Sequence, residues 1–217
     1  MSSGKADDLQ RQVDVEGKAH VRLVTGRPPA KADDPDLLTK AAAGDAAAVR
    51  LLYRTHVERV HRHVARVLGA QDPDIEDVVQ RVFLAALDGA ASYRGDSKLG
   101  SWILGIATRR ALDESRARWR RGRWKRMTER VGLGRPASAP DARAVAGSEA
   151  ERLLLTLSPE QRTAFVLKEV EGHTLQEMSD MTGIGVSTLH ARVKAARKRL
   201  DAAIAESSDA ESGGPHA

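Results

Sequence analysis

Asp72, Asp74, Glu76 and Asp77 place four acidic side chains within six residues, a density that could hold a divalent cation for phosphodiester hydrolysis. No second acid cluster stands ready to complete such a site. The same residues open an apolar-periodic stretch, where acids complement the positive end of a helix macrodipole, and that reading is preferred. His61 and His63 lie two apart, on different faces of a helix, whereas His56 and His63 lie seven apart and can share one. With no cysteine and no supporting acids, zinc is not indicated, and solvated or partly packed histidines are expected. Thiolate catalysis is excluded for the same reason. Tyr53 sits on an apolar stripe rather than among arginines, so no recombinase-type nucleophile is evident, and no P-loop sequence is present. The chain is read as a non-enzyme that needs no cofactor and no metal.

What the side chains do supply is positive charge, unevenly placed. The 217 residues carry 35 Lys and Arg against 30 Asp and Glu, a net of +5. Residues 99–135 hold eleven basic and three acidic groups, so this one stretch exceeds the whole surplus. Residues 158–180 hold two basic and five acidic groups, whereas 181–200 hold five basic and no acidic ones. Two one-sided basic stretches on helical segments fit a polyanion such as nucleic acid.

The elements that must position these charges are helical. Aromatic residues make up only 3% of the chain, so its cores must be built from Ala, Leu and Val, which suits closely packed helices. A first helix begins at about Asp36. After Gly44-Asp45 a longer one runs to Gly69 with the stripe Val49, Leu52, Tyr53, Val57, Val60, Val64, Val67. The next carries Ile75, Val79, Val82, Phe83 and Ala86. Following the polar loop 92–98, a helix from about Leu99 to about Arg121 turns Trp102, Ile103, Ile106, Ala107 and Leu112 inward. In Ser158-Pro159-Glu160-Gln161 an N-cap, a first-position proline and a capping amide follow one another. Two short helices follow, at about 174–182 and 187–205.

Residues 175–193, LQEMSDMTGIGVSTLHARV, have the parts of a helix-turn-helix. Ser179 is the small residue where the helices cross, Gly183 makes the tight turn, and Leu175, Met178, Ile184, Leu189 and Val193 anchor both helices. At 100° per residue, Leu189, Val193, Ala196 and Leu200 face inward. Ser187 and Thr188 at the helix start suit phosphate, and His190, Arg192, Lys194 and Lys198 can approach bases or phosphates in a major groove.

Three ordered segments resemble one known family, the extracytoplasmic-function (ECF) subgroup of bacterial RNA polymerase sigma factors. Residues 157–200, opening on LSPEQR, resemble the promoter-binding region 4. Residues 75–87, IEDVVQRVFLAAL, resemble region 2.2. Residues 93–113, YRGDSKLGSWILGIATRRALD, resemble regions 2.3 and 2.4. The resemblance covers about 36–126 and 149–204.

The residue patterns, with no strand of clean alternation and a Gly/Pro-rich break near 132–140, predict an all-α fold of two small helical bundles joined by a flexible linker, the second bundle containing the helix-turn-helix. The organisation expected is a disordered extension at 1–34, a region 2-like domain at 35–126, a linker at 127–147, a region 4-like domain at 148–206 and a disordered tail at 207–217. By the resemblance, Asp77, Gln80, Arg81 and Leu84 would dock on the β′ clamp of core RNA polymerase, and region 4 on its β flap. Ser97, Lys98 and Leu99 would hold a base flipped from the −10 element, and Arg109, Arg110, Arg116 and Arg118 would track that strand. Ser187, Thr188, His190, Arg192, Lys194 and Lys198 would read the −35 element of promoter DNA. An anti-sigma factor is the further partner implied. Trp102 is expected in the core, while Trp119 and Trp124 in RWRRGRWKR suit nucleic acid, polymerase or anionic lipid equally.

The chain departs from the family pattern at Arg109, where asparagine is usual, at Leu99, where an aromatic is usual, and at Ser187, Ala191 and Ala195 in the recognition helix. A repressor or activator using the same helix-turn-helix is the alternative, but it predicts an effector pocket or a dimer helix in place of an arginine-rich bundle. No apolar run reaches the ~18 residues a membrane span needs, and the N-terminus MSSGKADDLQRQ lacks an apolar secretory region. A cytoplasmic protein without membrane insertion is therefore expected.

Overall fold

The structure, a computed structural model, describes residues 35–130 and 148–212. The expected extension at 1–34, most of the expected linker and the last five residues lie outside them. The fold is all-α, with two helical clusters. Helix α1 spans Pro35–Ala42 and α2 Ala46–Leu68, the latter capped by Asp45, which accepts from the amides of Ala47 and Ala48 at 2.8 and 3.2 Å. Helix α3 spans Ile75–Asp88 and α4 Leu99–Arg130. Helix α4 thus runs about two turns past the expected end near Arg121, since between that residue and Gly132 only Gly122 disfavours a helix.

These helices enclose a core in which Leu38, Leu52, Val60, Val64, Val79, Val82, Ile103 and Ala107 are buried. Burying such side chains contributes roughly 1.5–3 kcal/mol each. Two expectations of the α2 stripe are corrected. Tyr53 is 44% exposed, at the edge of the stripe, with its ring tilted on Phe83 at 4.8 Å. His56 and His63, expected solvated or partly packed, are instead buried on the inward face they share. Trp102 is half-buried against the core, with its ring tilted on Tyr93 at 5.3 Å.

The second cluster starts with α5 (Glu149–Leu155) and α6 (Pro159–Phe165), which continues into a π-type turn at Val166–Val170. The expected capping box is present: the Gln161 amide donates to Ser158 Oγ at 3.2 Å and the Ser158 amide to Gln161 Oε1 at 3.1 Å. A second box joins Thr174 and Glu177 at the start of α7 (Leu175–Thr182). Gly183 then adopts φ +72°, a left-handed turn that a side chain would strain, and α8 (Val186–Ser212) follows. Helix α8 extends past residue 206, where the tail was expected to begin. Met178, Met181, Leu189 and Val193 are buried where α7 crosses α8, and Ala196 and Leu200 are buried further along α8.

Candidate nucleic-acid interface

On α3 the buried stripe forces the intervening residues outward. Asp77, Gln80, Arg81 and Leu84 are all exposed, at positions i, i+3, i+4 and i+7 of one face. Leu84 is 53% exposed, one of the large apolar side chains that the described residues leave open to solvent. Arg81 Nε donates to the Asp77 carbonyl at 3.2 Å, which lays the guanidinium along the helix.

The loop before α4 leaves Ser97 and Lys98 exposed, and the Tyr93 hydroxyl donates to the Ser97 carbonyl at 2.7 Å. Leu99 is a correction: it is 0% exposed and belongs to the core. It is the first residue of α4, and its position points toward α1–α3 rather than outward with the loop tip. Its side chain therefore cannot touch a flipped base.

The four arginines of α4 do not form one open track. Arg110 is exposed. Arg118 is clamped in ion pairs with Asp72 and Asp74, which explains those acids as a structural clasp more than as dipole partners. Arg116 Nε donates to Glu160 Oε1 at 2.7 Å, and Arg109 Nη1 to the Met181 carbonyl at 2.7 Å. Both reach across to the second cluster.

On α8, Ser187, Thr188, His190, Lys194 and Lys198 are exposed in the first four turns. The helix begins at Val186, so Ser187 lies within the first turn and not at the cap. Arg192 is half-buried near Glu160. Burial alone would raise the Glu160 pKa, but the Arg116 hydrogen bond and the charges of Arg116 and Arg192 hold the carboxyl below its usual range. One carboxylate thus answers an arginine from each expected DNA-facing surface.

A polar seam completes the contact between the clusters. His63, 0% exposed, places Nδ1 2.8 Å from Glu171 Oε1 and Nε2 3.0 Å from Thr108 Oγ1, and that hydroxyl donates to the Leu104 carbonyl at 2.8 Å. Arg66 stands 3.6 Å from the same carboxylate oxygen and His173 Nε2 3.7 Å from the other. Burial opposes ionisation of Glu171, yet its two histidine neighbours, His173 and His63, outweigh it and push the carboxyl well below its ordinary value of 4.5. Arg162, 5% exposed, donates to the carbonyls of Val67 at 2.8 Å and Leu157 at 3.3 Å, joining the end of α2 to the start of α6. Burial lowers its pKa to about 10.

Sequence reasoning singled out none of Leu104, Thr108, Glu160, Arg162 or Glu171, because their partners lie 44 to 108 residues away or in another core. Gly105, inside an apolar helix, was the one available signal. Among the described residues no group of three or more His, Asp or Glu could hold a metal ion, and no helix is long and apolar enough to cross a membrane.

Residues 52–121 match the family described as Sigma-70 region 2, and residues 148–200 that described as Sigma-70, region 4. The ECF RNA polymerase sigma factor SigM of Mycobacterium tuberculosis (strain ATCC 25618 / H37Rv) is 31% identical over 167 residues, 77% of this chain and 82% of that protein. The ECF RNA polymerase sigma-E factor of Escherichia coli (strain K12) is 26% identical over 178 residues, 77% of this chain and 92% of that protein. Among solved structures, CnrH in complex with the cytosolic domain of CnrY is similar with a TM-score of 0.55 and 25% identity, covering 80% of this chain and 98% of that one. With the two regions in order and their helices built as described, the chain belongs to the ECF RNA polymerase sigma factors.

Proposed function

We propose that the chain brings core RNA polymerase to promoters whose −35 element is read by α8, and opens the −10 region by capturing unpaired bases beside α4. As a sigma factor it binds core polymerase and recognises promoters, and it is not an enzyme. The observation that carries the finer reading is the exposed array on α3, an apolar Leu84 set among Asp77, Gln80 and Arg81, separate from a second exposed array on α8. One array suits a protein groove and the other suits phosphates and base edges. Exposed Ser97, Lys98 and Arg110 supply polar and cationic contacts for the single strand; Arg109, Arg116 and Arg118 join them once released from Met181, Glu160 and the Asp72–Asp74 clasp. Opening then draws on binding energy for splayed bases and needs no nucleotide hydrolysis.

A protein partner that holds the chain inactive is part of the proposal. CnrH was solved in complex with the cytosolic domain of CnrY, and an anti-sigma factor would play the corresponding part here.

Permanganate footprinting of a responsive promoter tests the opening step. With core polymerase and this chain, but no ATP, unpaired thymines are expected to react around position −10. A promoter that is bound but stays unreactive would refute capture of the −10 strand.

A further inference from the structure

The loop ahead of α4 is fixed at both ends and open at its tip. At the near end the Tyr93 amide donates to the Ala90 carbonyl at 3.1 Å, and the Ser92 hydroxyl to the Gly89 carbonyl at 2.7 Å. At the far end the Ser101 and Trp102 amides donate to the Lys98 carbonyl at 2.9 and 3.1 Å, and Leu99 is sealed into the core. Gly100 seats the start of α4 closely on α2: a Cβ there would lie 3.3 Å from His56 Cε1. Between these anchors residues 94–97 are exposed and, among the described residues, take part in no backbone–backbone hydrogen bond. Gly95 turns the tip at φ +78°.

One side chain spans the gap. Tyr93 is half-buried, its ring tilted on that of Trp102 at 5.3 Å, and both rings pack against the first core. From that seat the Tyr93 hydroxyl donates to the Ser97 carbonyl at 2.7 Å. The bond ties the open tip to a ring that the surrounding packing holds in place.

We propose that Tyr93 is a positioning residue for base capture: its hydroxyl presets the turn at Ser97 and Lys98 in the form that receives the flipped base of the −10 element. This rests on the reading of function given above. An untied tip turning on a glycine samples many conformations, and ordering it on DNA costs free energy that a preset loop avoids. Ser97 is held through its carbonyl, so its side chain and that of Lys98 remain exposed toward nucleic acid. In the free chain water competes for the exposed carbonyl, and the bond adds little to global stability. Once a base covers the loop, water is excluded and the same bond strengthens. The hydroxyl therefore acts on capture far more than on folding.

Tyr93→Phe deletes the hydroxyl and keeps the ring on Trp102. The probe is a single-stranded nontemplate oligonucleotide carrying the −10 sequence of a promoter located by transcript mapping, with each base replaced in turn by an abasic site. Binding by core polymerase carrying the full chain is read by fluorescence anisotropy. In the parent, one abasic position is expected to weaken binding at least tenfold. The variant is expected to bind the intact oligonucleotide about fivefold more weakly, a change of about 1 kcal/mol, and to match the parent on the oligonucleotide abasic at that position. Its melting temperature and its affinity for core polymerase are expected to equal the parent's. In the free chain, amide order parameters are expected to fall at residues 94–98 and to hold along α4. A variant that binds every oligonucleotide as the parent does, or that loses the same factor with and without the base, overturns the positioning role, as do unchanged order parameters in the loop. A parent insensitive to every abasic site would sink the reading of base capture, and the role of Tyr93 with it.

Discussion

Arg162→Met removes a buried charge, and two opposed terms decide the outcome. The guanidinium is 5% exposed, and burial lowers its pKa from 12.5 to about 10, which corresponds to about 3 kcal/mol against the charged form. Its Nε finds no hydrogen-bond partner, so nothing offsets that atom's desolvation. Against this stand the two carbonyls it serves. Val67 is one residue from the end of α2, where helix carbonyls lose their internal partners, and Leu157 precedes the N-cap Ser158. Charged hydrogen bonds of this kind contribute about 1.5–3 kcal/mol each, and a buried carbonyl left unpaired costs about 1–3 kcal/mol. Methionine fills the volume but bonds to neither, so both carbonyls are stranded while the burden of the charge is relieved. The expected net is a loss of roughly 1–3 kcal/mol, since stranding two groups outweighs relief of one partly compensated cation. Urea unfolding followed by far-ultraviolet circular dichroism measures it, with Arg162→Lys expected to fall between because one carbonyl stays served. An Arg162→Met chain as stable as the parent would refute the assignment of Arg162 as the group that satisfies the ends of α2 and α6.

Glu171→Gln removes a carboxylate whose pKa is pushed below 4.5, so the stability it contributes is present above that pH and is lost as pH falls through the folded value. The variant is expected to melt several degrees below the parent at pH 7 and to converge with it in acid; a constant difference across that range would contradict the charge-based account. Leu84→Arg, at an exposed position, should leave the fold intact and weaken core polymerase binding at least tenfold, read by fluorescence anisotropy; undiminished binding would remove α3 from the docking surface. Lys194→Ala should weaken promoter binding similarly at all sequences and lower the slope of log affinity against log salt by about 1. A change in sequence preference with an unchanged slope would instead place Lys194 at a base edge.

What was legible in the sequence was local. The box at Ser158 and Gln161, the stop at Gly69 and the left-handed turn at Gly183 each depend on neighbours within four residues, and each is present. The α3 stripe shows which residues face inward, and by subtraction it leaves Asp77, Gln80, Arg81 and Leu84 outside. Periodicity does not separate the centre of a stripe from its rim, which is why Tyr53 sits at the surface and His56 and His63 inside. The family resemblance groups Leu99 with the loop residues Ser97 and Lys98, whereas its own side chain begins a buried helix face. The seam between the clusters was not legible at all. His63 and Glu171 are 108 residues apart, and no local pattern distinguishes an arginine that meets DNA from one that meets Glu160 or Asp72. Charge along the chain marks where cations accumulate; only the packed structure shows which of them the protein already uses.

The central claim is tested most directly by mapping transcript 5′ ends made in vitro on genomic DNA with core RNA polymerase, this chain, or both. The account predicts discrete 5′ ends, preceded by shared −35 and −10 sequences, only when both are present. The same set of ends from core polymerase alone, or a chain that fails to bind core polymerase, would contradict it.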